Sequence, residues 1–432
     1  MKTLKQYGKI LWASVLIFSL CAAFLSFSAP AAHAAAGTGG KLSAEDLFTG
    51  RDLEQEADLS EAVSCSVSSG ALISITEAGV YQLSGTGDEV LILVDAPEDA
   101  KVQLVLDGVS ISNTSVPCIY VRSADKVFVT TVSDSYLSVS GTFAADGDTN
   151  TDGVIFSRED LVLNGIGTLS ISSSMHGVVG KDDLKITGGT YTISAASHAI
   201  EAKDSIRISD GSFTLRAGKD GLHTENEEDP ALGYLYIGGG SFTISAGDDG
   251  IHAESLVQID GGSFNIDAAE GVESTYVQIN DGVFSIQSWD DGINAAQKSS
   301  AYRATVEING GEIAVVMGAG DTDGVDSNGE LIINGGTINV TGGSAFDCDG
   351  TVSFNGGTVI VNGQQVSTIP NQMMGGRGGM GFGGRNWSGQ NNREAPDMQN
   401  GWEEPNGQTG WSQPNGQNGQ GSWGSPGGHH GW

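Results

Sequence analysis

The sequence predicts an all-β protein that folds as a parallel β-helix with three strands per coil. The first observation is a glycine-rich triplet that recurs about every 20 to 29 residues between positions 187 and 357. The second is a phrase of the form Asp-Gly-Ile, which keeps step with the triplet between positions 176 and 325. Two repeats locked together in this way are typical of a solenoid, in which each repeat forms one coil that stacks on its neighbours.

The coil at 249–270 shows why three strands are expected. Apolar and polar residues alternate in three short runs, so each run sends one face inward. The inward residues are Ile251 and Ala253, then Val257 and Ile259, then Phe264 and Ile266. The triplet serves the corner after the second run, because Asn or Asp with Gly accepts the positive φ of a sharp turn. Asn309, Asn334 and Asn355 recur there, either as a hydrogen-bonded ladder or as simple turn residues.

Residues 1–34 are predicted to be a secretion signal peptide. Lysines precede the apolar run 10–27, and Ala-His-Ala at 32–34 supplies small residues for cleavage. A retained membrane anchor is the alternative. The protein is therefore expected to be secreted and extracellular, and association with the cell surface is left open.

The rest of the chain divides into three segments. Residues 35–60 are predicted to be a loose polar leader, and residues 61–363 the β-helix itself. A capping segment near 41–80 is expected to cover the open strand edges of the first coils. Residues 364–432 are rich in Gly, Gln and Asn and lack an apolar period, which predicts a disordered tail. The spaced tryptophans of this tail are interpreted either as weak contacts for glycan or as part of a plain flexible segment.

The chain is strongly acidic, with 53 acidic and 20 basic residues and a formal net charge of −33. Such a field disfavours nucleic acid and anionic surfaces and attracts divalent cations. No nucleic-acid partner is expected, nor a membrane partner after signal removal, and the chain is predicted to be monomeric. Cys65, Cys118 and Cys348 remain after cleavage; one disulfide is left open, and Cys348 is expected to be a small buried residue.

Acidic residues recur at the first position of the Asp-Gly-Ile phrase and again three positions later. Equivalent residues on successive coils lie about 4.8 Å apart, so these carboxylates repel one another unless a cation neutralises them. Ca²⁺ takes six to eight oxygen ligands and is the predicted cofactor; the alternative is a solvated acidic face. His223 and His252 suggest a transition metal, but the oxygen-rich surroundings favour calcium. The predicted metal ligands are Asp220, Asp248, Asp249, Glu270, Glu273, Asp290, Asp291, Asp321, Asp323, Asp326 and Asp347.

Exposed aromatic residues and two insertions complete the predicted site. Trp289, Tyr234 and Tyr236 are expected to face outward, where flat rings stack on sugars, although each could be ordinary surface. The insertions at 225–233 and 295–304 are expected to leave the stack from one edge, which is often the binding edge of a solenoid.

Catalytic motifs are weak throughout the sequence. It contains no nucleophile elbow, no phosphate-binding loop before a helix, and no Cys/His zinc spacing. Lys203, Lys219 and Arg303 are the candidate bases for a lyase, and each is as readily a salt-bridge partner of the acidic ridge.

Three phrases in order resemble a known family. The runs Lys101–Ile111 (KVQLVLDGVSI), Ile119–Val127 (IYVRSADKV) and Asp182–Thr190 (DDLKITGGT) are similar to the secreted bacterial carbohydrate-binding domain family, over about residues 45–363. The resemblance implies a right-handed β-helix like that of pectate lyases, bound calcium, and binding of cellulose or acidic plant polysaccharides. Calcium-dependent lyases of this fold carry an Asp-Asp-x-x-Asp cluster, whose third acid is replaced here by His252 and Asn294.

The sequence thus predicts a secreted, non-catalytic polysaccharide-binding protein. Calcium on the acidic edge would bridge to uronate carboxylates that the negative surface otherwise repels. The alternatives are a calcium-dependent pectate-type lyase, with Ca²⁺ acidifying a proton and a lysine removing it, and a structural surface protein or adhesin.

Overall fold

The computed structural model describes residues 41–318 and 322–371, and these form a parallel β-helix with three strands per coil. A short helix, α1 (Ala44–Leu47), precedes the strands. In chain order the strands are β1 (Val63–Val67), β2 (Leu72–Ile75), β3 (Gly79–Asp88), β4 (Leu91–Asp95), β5 (Lys101–Asn113), β6 (Ile119–Ser123), β7 (Lys126–Thr131), β8 (Ser135–Val139), β9 (Gly153–Ser157), β10 (Asp160–Gly165), β11 (Thr168–Ser173), β12 (His176–Gly180), β13 (Asp183–Ile186), β14 (Thr190–Ala195), β15 (Ile200–Ala202), β16 (Ser205–Ile208), β17 (Ser212–Ala217), β18 (Leu222–Thr224), β19 (Tyr234–Ile237), β20 (Ser241–Ala246), β21 (Asp249–Ile259), β22 (Ser263–Ala268), β23 (Glu270–Ile279), β24 (Val283–Ser288), β25 (Ile293–Ala295), β26 (Thr305–Ile308), β27 (Glu312–Met317), β28 (Asp323–Ser327), β29 (Glu330–Ile333), β30 (Thr337–Thr341), β31 (Ser344–Cys348), β32 (Val352–Phe354), β33 (Thr358–Val361) and β34 (Gln364–Val366). The fold prediction is confirmed.

Parallel pairing between successive coils builds three long faces. Sheet A contains β2, β4, β6, β9, β12, β15, β18, the first halves of β21 and β23, and then β25, β28 and β31. Sheet B runs from β1 through β7, β10, β13, β16 and β19 to the second halves of β21 and β23, and on to β32. Sheet C runs from β8 through β11 and β14 to β33. The Asp-Gly-Ile phrase lies on sheet A, so one face carries the whole acidic column.

Stacked side chains fill the interior, because equivalent residues of successive coils lie directly above one another. On sheet C the rings of Phe213, Phe242, Phe264 and Phe284 are nearly parallel, with centroids 4.5 to 4.7 Å apart. All four rings are buried, as the alternating pattern predicts. The core therefore fixes the register of each coil, and with it the register of the outward side chains on sheet A.

The corner between sheets B and C combines both expected roles of the triplet. Its last glycine has a positive φ in each of the eight triplets, as at Gly311 (86°). The asparagine ladder also exists: the amide Nδ2 of Asn309, Asn334 and Asn355 donates to Oδ1 of the asparagine one coil earlier, at 2.7, 2.7 and 2.8 Å. Turn geometry and ladder bonding therefore act together at this corner.

The N-terminal segment corrects the expectation of a loose leader. Residues 41–62 lie along the outer face of sheet B and cross several coils before entering β1. The backbone N of Leu42 donates to Gln258 at 2.7 Å, and further along Asp52 is fully buried, with its carboxylate 3.0 Å from Lys185 Nζ. Polar residues that were predicted to form a loose leader therefore bond to polar side chains on sheet B.

The C-terminal boundary also differs slightly from the predicted one. The strand β34 pairs antiparallel with β33, so residues 364–366 belong to the folded part. Cys65, Cys118 and Cys348 are free thiols, and Cys348 is buried as expected. Within the described ranges no helix is long and apolar enough to cross a bilayer. The predicted signal peptide, and the predicted tail from residue 372 onward, lie outside those ranges.

Candidate functional site

The Asp-Gly-Ile phrase places two side chains per coil on the outer surface of sheet A. The isoleucine-type residue points into the core, while the first position and the position three later share the outer face. The central glycine is required by close packing: a Cβ at Gly271 would lie 2.3 Å from the carbonyl oxygen of Gly292 on the next coil. The same phrase thus brings the coils close together and aligns their polar side chains.

The N-terminal part of this column, the histidine segment, is defined by His176, His198, His223 and His252. Their rings stack with centroids 5.1, 4.2 and 4.9 Å apart. They include every histidine of the described residues. His176 and His198 occupy the first position of the phrase, whereas His223 and His252 occupy the position three later. The rings of His198 and His223 nevertheless stack on each other, so side chains from the two positions meet in one strip on the outer face of sheet A.

Carboxylates alternate with these imidazoles. Asp220 is 4% exposed, and its Oδ2 lies 3.1 Å from His198 Nδ1 and 2.6 Å from His223 Nδ1. One coil later, His252 Nδ1 lies 2.7 Å from Asp249 Oδ2 and 3.0 Å from Glu273 Oε2.

These contacts set the charges of the histidine segment. Burial opposes the charged form of Asp220, but its contacts with both histidines hold the pKa of its carboxyl well below the usual range. Burial likewise opposes protonation of His252, yet its two carboxylate partners raise the pKa of this imidazole to about 10. The pKa of His176 is lowered, chiefly by burial. Most carboxylates of this segment therefore have a partner within the chain.

The C-terminal part, the carboxylate segment, is defined by Glu270, Asp291, Asp323, Asp326 and Asp347. Burial, then the charges of Glu273 and Asp249, raise the pKa of Glu270 to about 8. Burial and neighbouring carboxylates likewise raise the pKa of Asp291 to about 6 and that of Asp326 to about 7. Of the predicted ligands, Asp249, Glu270 and Glu273 each bring one ligand atom within 4.8 Å of the others. The later acids share one face of sheet A, and no histidine partner cancels the repulsion that raises the pKa values of Asp291 and Asp326.

The donors of the carboxylate segment fit a hard cation. Asn294 is more than nine-tenths buried, and its amide Nδ2 donates to Glu270 Oε2 at 3.0 Å, while its Oδ1 has no hydrogen-bond partner. In register, Asn294 lies between Glu273 and Asp326. A buried amide oxygen among carboxylates is the type of ligand that Ca²⁺ accepts.

Three predicted ligands lie differently from the rest. Asp248 and Asp290, which precede the phrase, are exposed to solvent at the edge of the sheet. Asp321 lies outside the described residues. The first position and the position three later therefore carry the column, and the preceding acids lie at its margin.

The predicted sugar-binding aromatics separate into three cases. Trp289 is 50% exposed, directly before Asp290 and Asp291. Tyr234 is half-buried, with the guanidinium of Arg207 5.3 Å from its ring centroid. The expectation that Tyr236 faces solvent is wrong: the residue is 2% exposed, because the N-terminal segment places Phe48 against it at 6.1 Å between ring centroids.

The two insertions meet at one edge of the stack, as expected of a solenoid. Ser299 Oγ in the second insertion donates to the carbonyl oxygen of Pro230 in the first at 2.6 Å. The second insertion also carries Lys298, whose Nζ lies 2.9 Å from Glu273 Oε1. The first insertion borders a cavity of about 280 Å³, lined by Lys181, Glu201, Ala202, Lys203, His223, Glu225, Glu227 and Glu228. The insertion edge and the charged column are therefore adjacent.

Comparison with known proteins identifies the family. A family model described as "Carbohydrate-binding domain-containing protein" matches residues 69–318 and 270–365, which is more than half of the chain. The chain belongs to the carbohydrate-binding domain-containing family. This confirms the resemblance found in the sequence.

Two individual proteins are also similar to this member of the carbohydrate-binding domain-containing family. A protein of that description from Acetivibrio thermocellus is 36% identical over 122 residues, 27% of this chain and 43% of the relative. The match therefore spans less than half the length of that relative. A solved structure, described as the polysaccharide lyase-like protein from C. thermocellum in a gadolinium derivative, is 29% identical with a TM-score of 0.43. It covers 55% of this chain and 97% of that one.

Sequence reasoning aligned the histidines with the column but missed their mutual stacking. It also missed Lys298 and the buried amide of Asn294 as members of the site. The stacking and the role of Asn294 could have been found from the fact that positions one and four of the phrase share a face. Lys298 could have been found because an insertion next to an acidic column can supply a counter-charge.

Proposed function

We propose that this protein is a secreted, non-catalytic polysaccharide-binding protein that uses Ca²⁺ bound by the carboxylate segment to hold acidic glycans. Glu270, Asp291, Asp323, Asp326 and Asp347 would supply carboxylate ligands, and Asn294 would supply an amide oxygen. When bound, the ion would neutralise these carboxylates and offer its remaining coordination positions to uronate oxygens. Family membership supports a carbohydrate ligand.

One observation carries this proposal: Asn294, Asp326 and Asp347 lie in register on consecutive coils, where burial and then the charges of Asp291, Asp323 and Asp347 raise the pKa of the half-buried Asp326 to about 7. A solvated face would keep its acids apart and in water. In a rigid stack the carboxylates cannot move apart, so a cation that neutralises their charge is favoured. Because the ligand atoms are all oxygens, a hard divalent cation is preferred.

Aromatic stacking is assigned to Trp289, whereas Tyr234 lies on sheet B, partly buried against the cluster of Leu47, Phe48 and Tyr236. The exposed ring of Trp289 is next in sequence to two acids of the column, so a sugar ring on the indole could place a carboxylate near the metal. Tyr236 is left out of the proposed surface, because Phe48 covers it.

The charge states of the lysines favour binding over elimination chemistry. A lyase needs a base that is neutral near the working pH, which for lysine means a lowered pKa. The pKa of Lys203 is raised by a hydrogen bond to Glu228, and Glu273 likewise raises the pKa of Lys298 although burial opposes it. Arg303 is paired with Glu330 at 2.8 Å.

Co-sedimentation of the full chain with insoluble polygalacturonate and with cellulose tests the proposal. The protein should sediment with polygalacturonate in excess calcium and remain in solution in chelator. Asp326→Asn should weaken sedimentation strongly, whereas Asp107→Asn, which replaces an acid on the distant strand β5, should not.

The same samples separate the alternatives. Unsaturated product absorbing in the ultraviolet would replace binding alone by lyase activity. Sedimentation that is equal in chelator and in calcium would overturn the role of the metal. No binding to either polysaccharide would leave the structural or adhesive alternative.

A further inference from the structure

The histidine segment offers a donor set different from that of the carboxylate segment. Nδ1 of His198 and Nδ1 of His223 both face one oxygen, Oδ2 of Asp220, at 3.1 and 2.6 Å. One ligand atom from each of His198, Asp220 and His223 lies within 4.8 Å of the other two. Two imidazole nitrogens with one carboxylate oxygen is a borderline-soft set, which calcium disfavours and zinc prefers.

Protons alone satisfy this arrangement poorly. Nδ1 of His198 is also 3.3 Å from the backbone N–H of Asp220, from which it would accept a hydrogen bond. That nitrogen has either one proton or one lone pair, so it cannot both accept from the N–H and donate to Oδ2. While the N–H bond is kept, His198 Nδ1 and Asp220 Oδ2 face each other as two acceptors at 3.1 Å. A cation among the three atoms would take these lone pairs in place of the long N–H bond, with each imidazole then carrying its proton on Nε2.

The surroundings of His223 resemble the support that metal ligands usually have. Its Nε2 lies 3.5 Å from Glu225 Oε2, so a proton on Nε2 would point toward a carboxylate. Histidines that bind metals commonly orient their second nitrogen in this way.

An adjacent group of ligands points to the same strip. His176 is more than nine-tenths buried, and its Nδ1 lies 3.0 Å from Glu201 Oε2 without the geometry of a hydrogen bond. With His198 these residues form a second set of neighbouring donors. Unbonded donor atoms held at this distance are better suited to an ion than to each other.

The cavity beside the strip supplies access. His223, Glu201 and Glu225 all lie on its wall, and its volume of about 280 Å³ is large enough for several water molecules. Zinc sites with three protein ligands keep their fourth position open to such a space.

We propose that His198, Asp220 and His223 bind one divalent transition-metal ion of the zinc class, with the open coordination position facing this cavity. The site is separate from the calcium ligands of the carboxylate segment and does not rest on the proposed function. The ion would replace the protons shared between the imidazoles and Asp220, and would require the 2.6 Å contact to open slightly.

Zinc titration of the chelator-treated full chain in excess calcium tests this site. The protein should carry His429→Gln and His430→Gln, because the histidine pair of the C-terminal segment could bind zinc by itself. Calorimetry and metal analysis should then give one zinc per chain, and zinc K-edge absorption should show two imidazole ligands. His223→Asn should lower the affinity at least about tenfold, because even the loss of a residue that only supports a metal ligand typically has an effect of that size.

Matched variants keep the outcome decisive. Asp326→Asn should leave zinc affinity unchanged while weakening the response to calcium, so failure of either proposal is recognised separately. If His223→Asn does not fold, Glu225→Gln should still reduce zinc affinity, because it removes only the supporting carboxylate. Zinc displaced by excess calcium, or bound equally by wild type and by both variants, would mean that the segment is a hydrogen-bonded network only and would overturn the proposal.

Discussion

On the coils of the histidine segment, Asp220 lies between two imidazoles, and on the coil that follows them Glu273 lies between His252 and Lys298. On the later coils, the charges that act on Asp291 and Asp326 are those of other acids. The backbone, the phrase and the register are the same in both segments. The difference shows that a β-helix can neutralise a column of acids with its own side chains on some coils and leave the acids of other coils without such partners.

The largest expected difference comes from removing one carboxylate from each segment. Asp220→Asn should destabilise the chelator-treated protein by about 3 to 5 kcal/mol, because it leaves buried imidazoles without their anionic partner. In chelator, Asp326→Asn should have the opposite effect and raise the free energy of unfolding by about 1 kcal/mol, because it removes a carboxylate that neighbouring carboxylates repel. Thermal unfolding at pH 8 measures both, and equal losses in the two variants would contradict the comparison.

Calcium should stabilise the protein mainly through the carboxylate segment. An ion that binds only the native state at about 100 times its dissociation constant adds about 2.7 kcal/mol. The melting temperature should therefore rise in calcium for wild type and much less for Asp326→Asn. A matched control, Asp107→Asn, should respond like wild type, and a melting temperature indifferent to chelator would refute bound calcium.

The pH dependence follows from the raised pKa values. Glu270, Asp291 and Asp326 have pKa values of about 8, 6 and 7, above those of the unfolded chain. The native state therefore holds more protons than the unfolded state across this range, so stability in chelator should fall as pH rises from about 5 to 8. Calcium should add more stability at pH 8 than at pH 5. Melting curves recorded from pH 5 to 8, in chelator and in calcium, test both expectations. A calcium effect independent of pH would argue against Glu270, Asp291 and Asp326 as ligands.

The smallest effect concerns the aromatic platform beside the carboxylate segment. Trp289→Ala should weaken binding to polygalacturonate about three- to tenfold, the size of one aromatic contact, and leave calcium binding unchanged. Tyr136→Ala is the control, because Tyr136 is 42% exposed on sheet C, away from the column. Isothermal titration with soluble oligogalacturonates compares them, and equal losses in the two variants would remove Trp289 from the site.

Periodic features of this chain could be predicted from the sequence, and single long-range contacts could not. The triplets and the phrase fix the three strands per coil and the register, so the alignment of Glu270, Asp291, Asp323 and Asp326 on one face follows from counting residues. The burial of Tyr236 depends on Phe48, which is far away in the chain and belongs to no repeat. The burial of Asp52 could not be predicted either, because no pattern in the neighbouring sequence indicates its contact with Lys185.

The chemistry of the column was only partly visible for a related reason. Alignment placed His198 and Asp220 at one position and His223 at another, without showing that their side chains cross to meet. Contacts between the two positions depend on side-chain direction, which the repeat does not encode. The same limit concealed Lys298, which reaches Glu273 from an insertion outside the repeat.

A crystal structure of the full chain grown in calcium, with anomalous diffraction data recorded for that element, tests the central claim most directly. Anomalous density should lie on the carboxylate segment, within about 2.3 to 2.6 Å of oxygens from Asp291, Asp323 or Asp326. If calcium is present in excess and these carboxylates instead contact only water, the account of the column as a calcium-dependent glycan surface is contradicted.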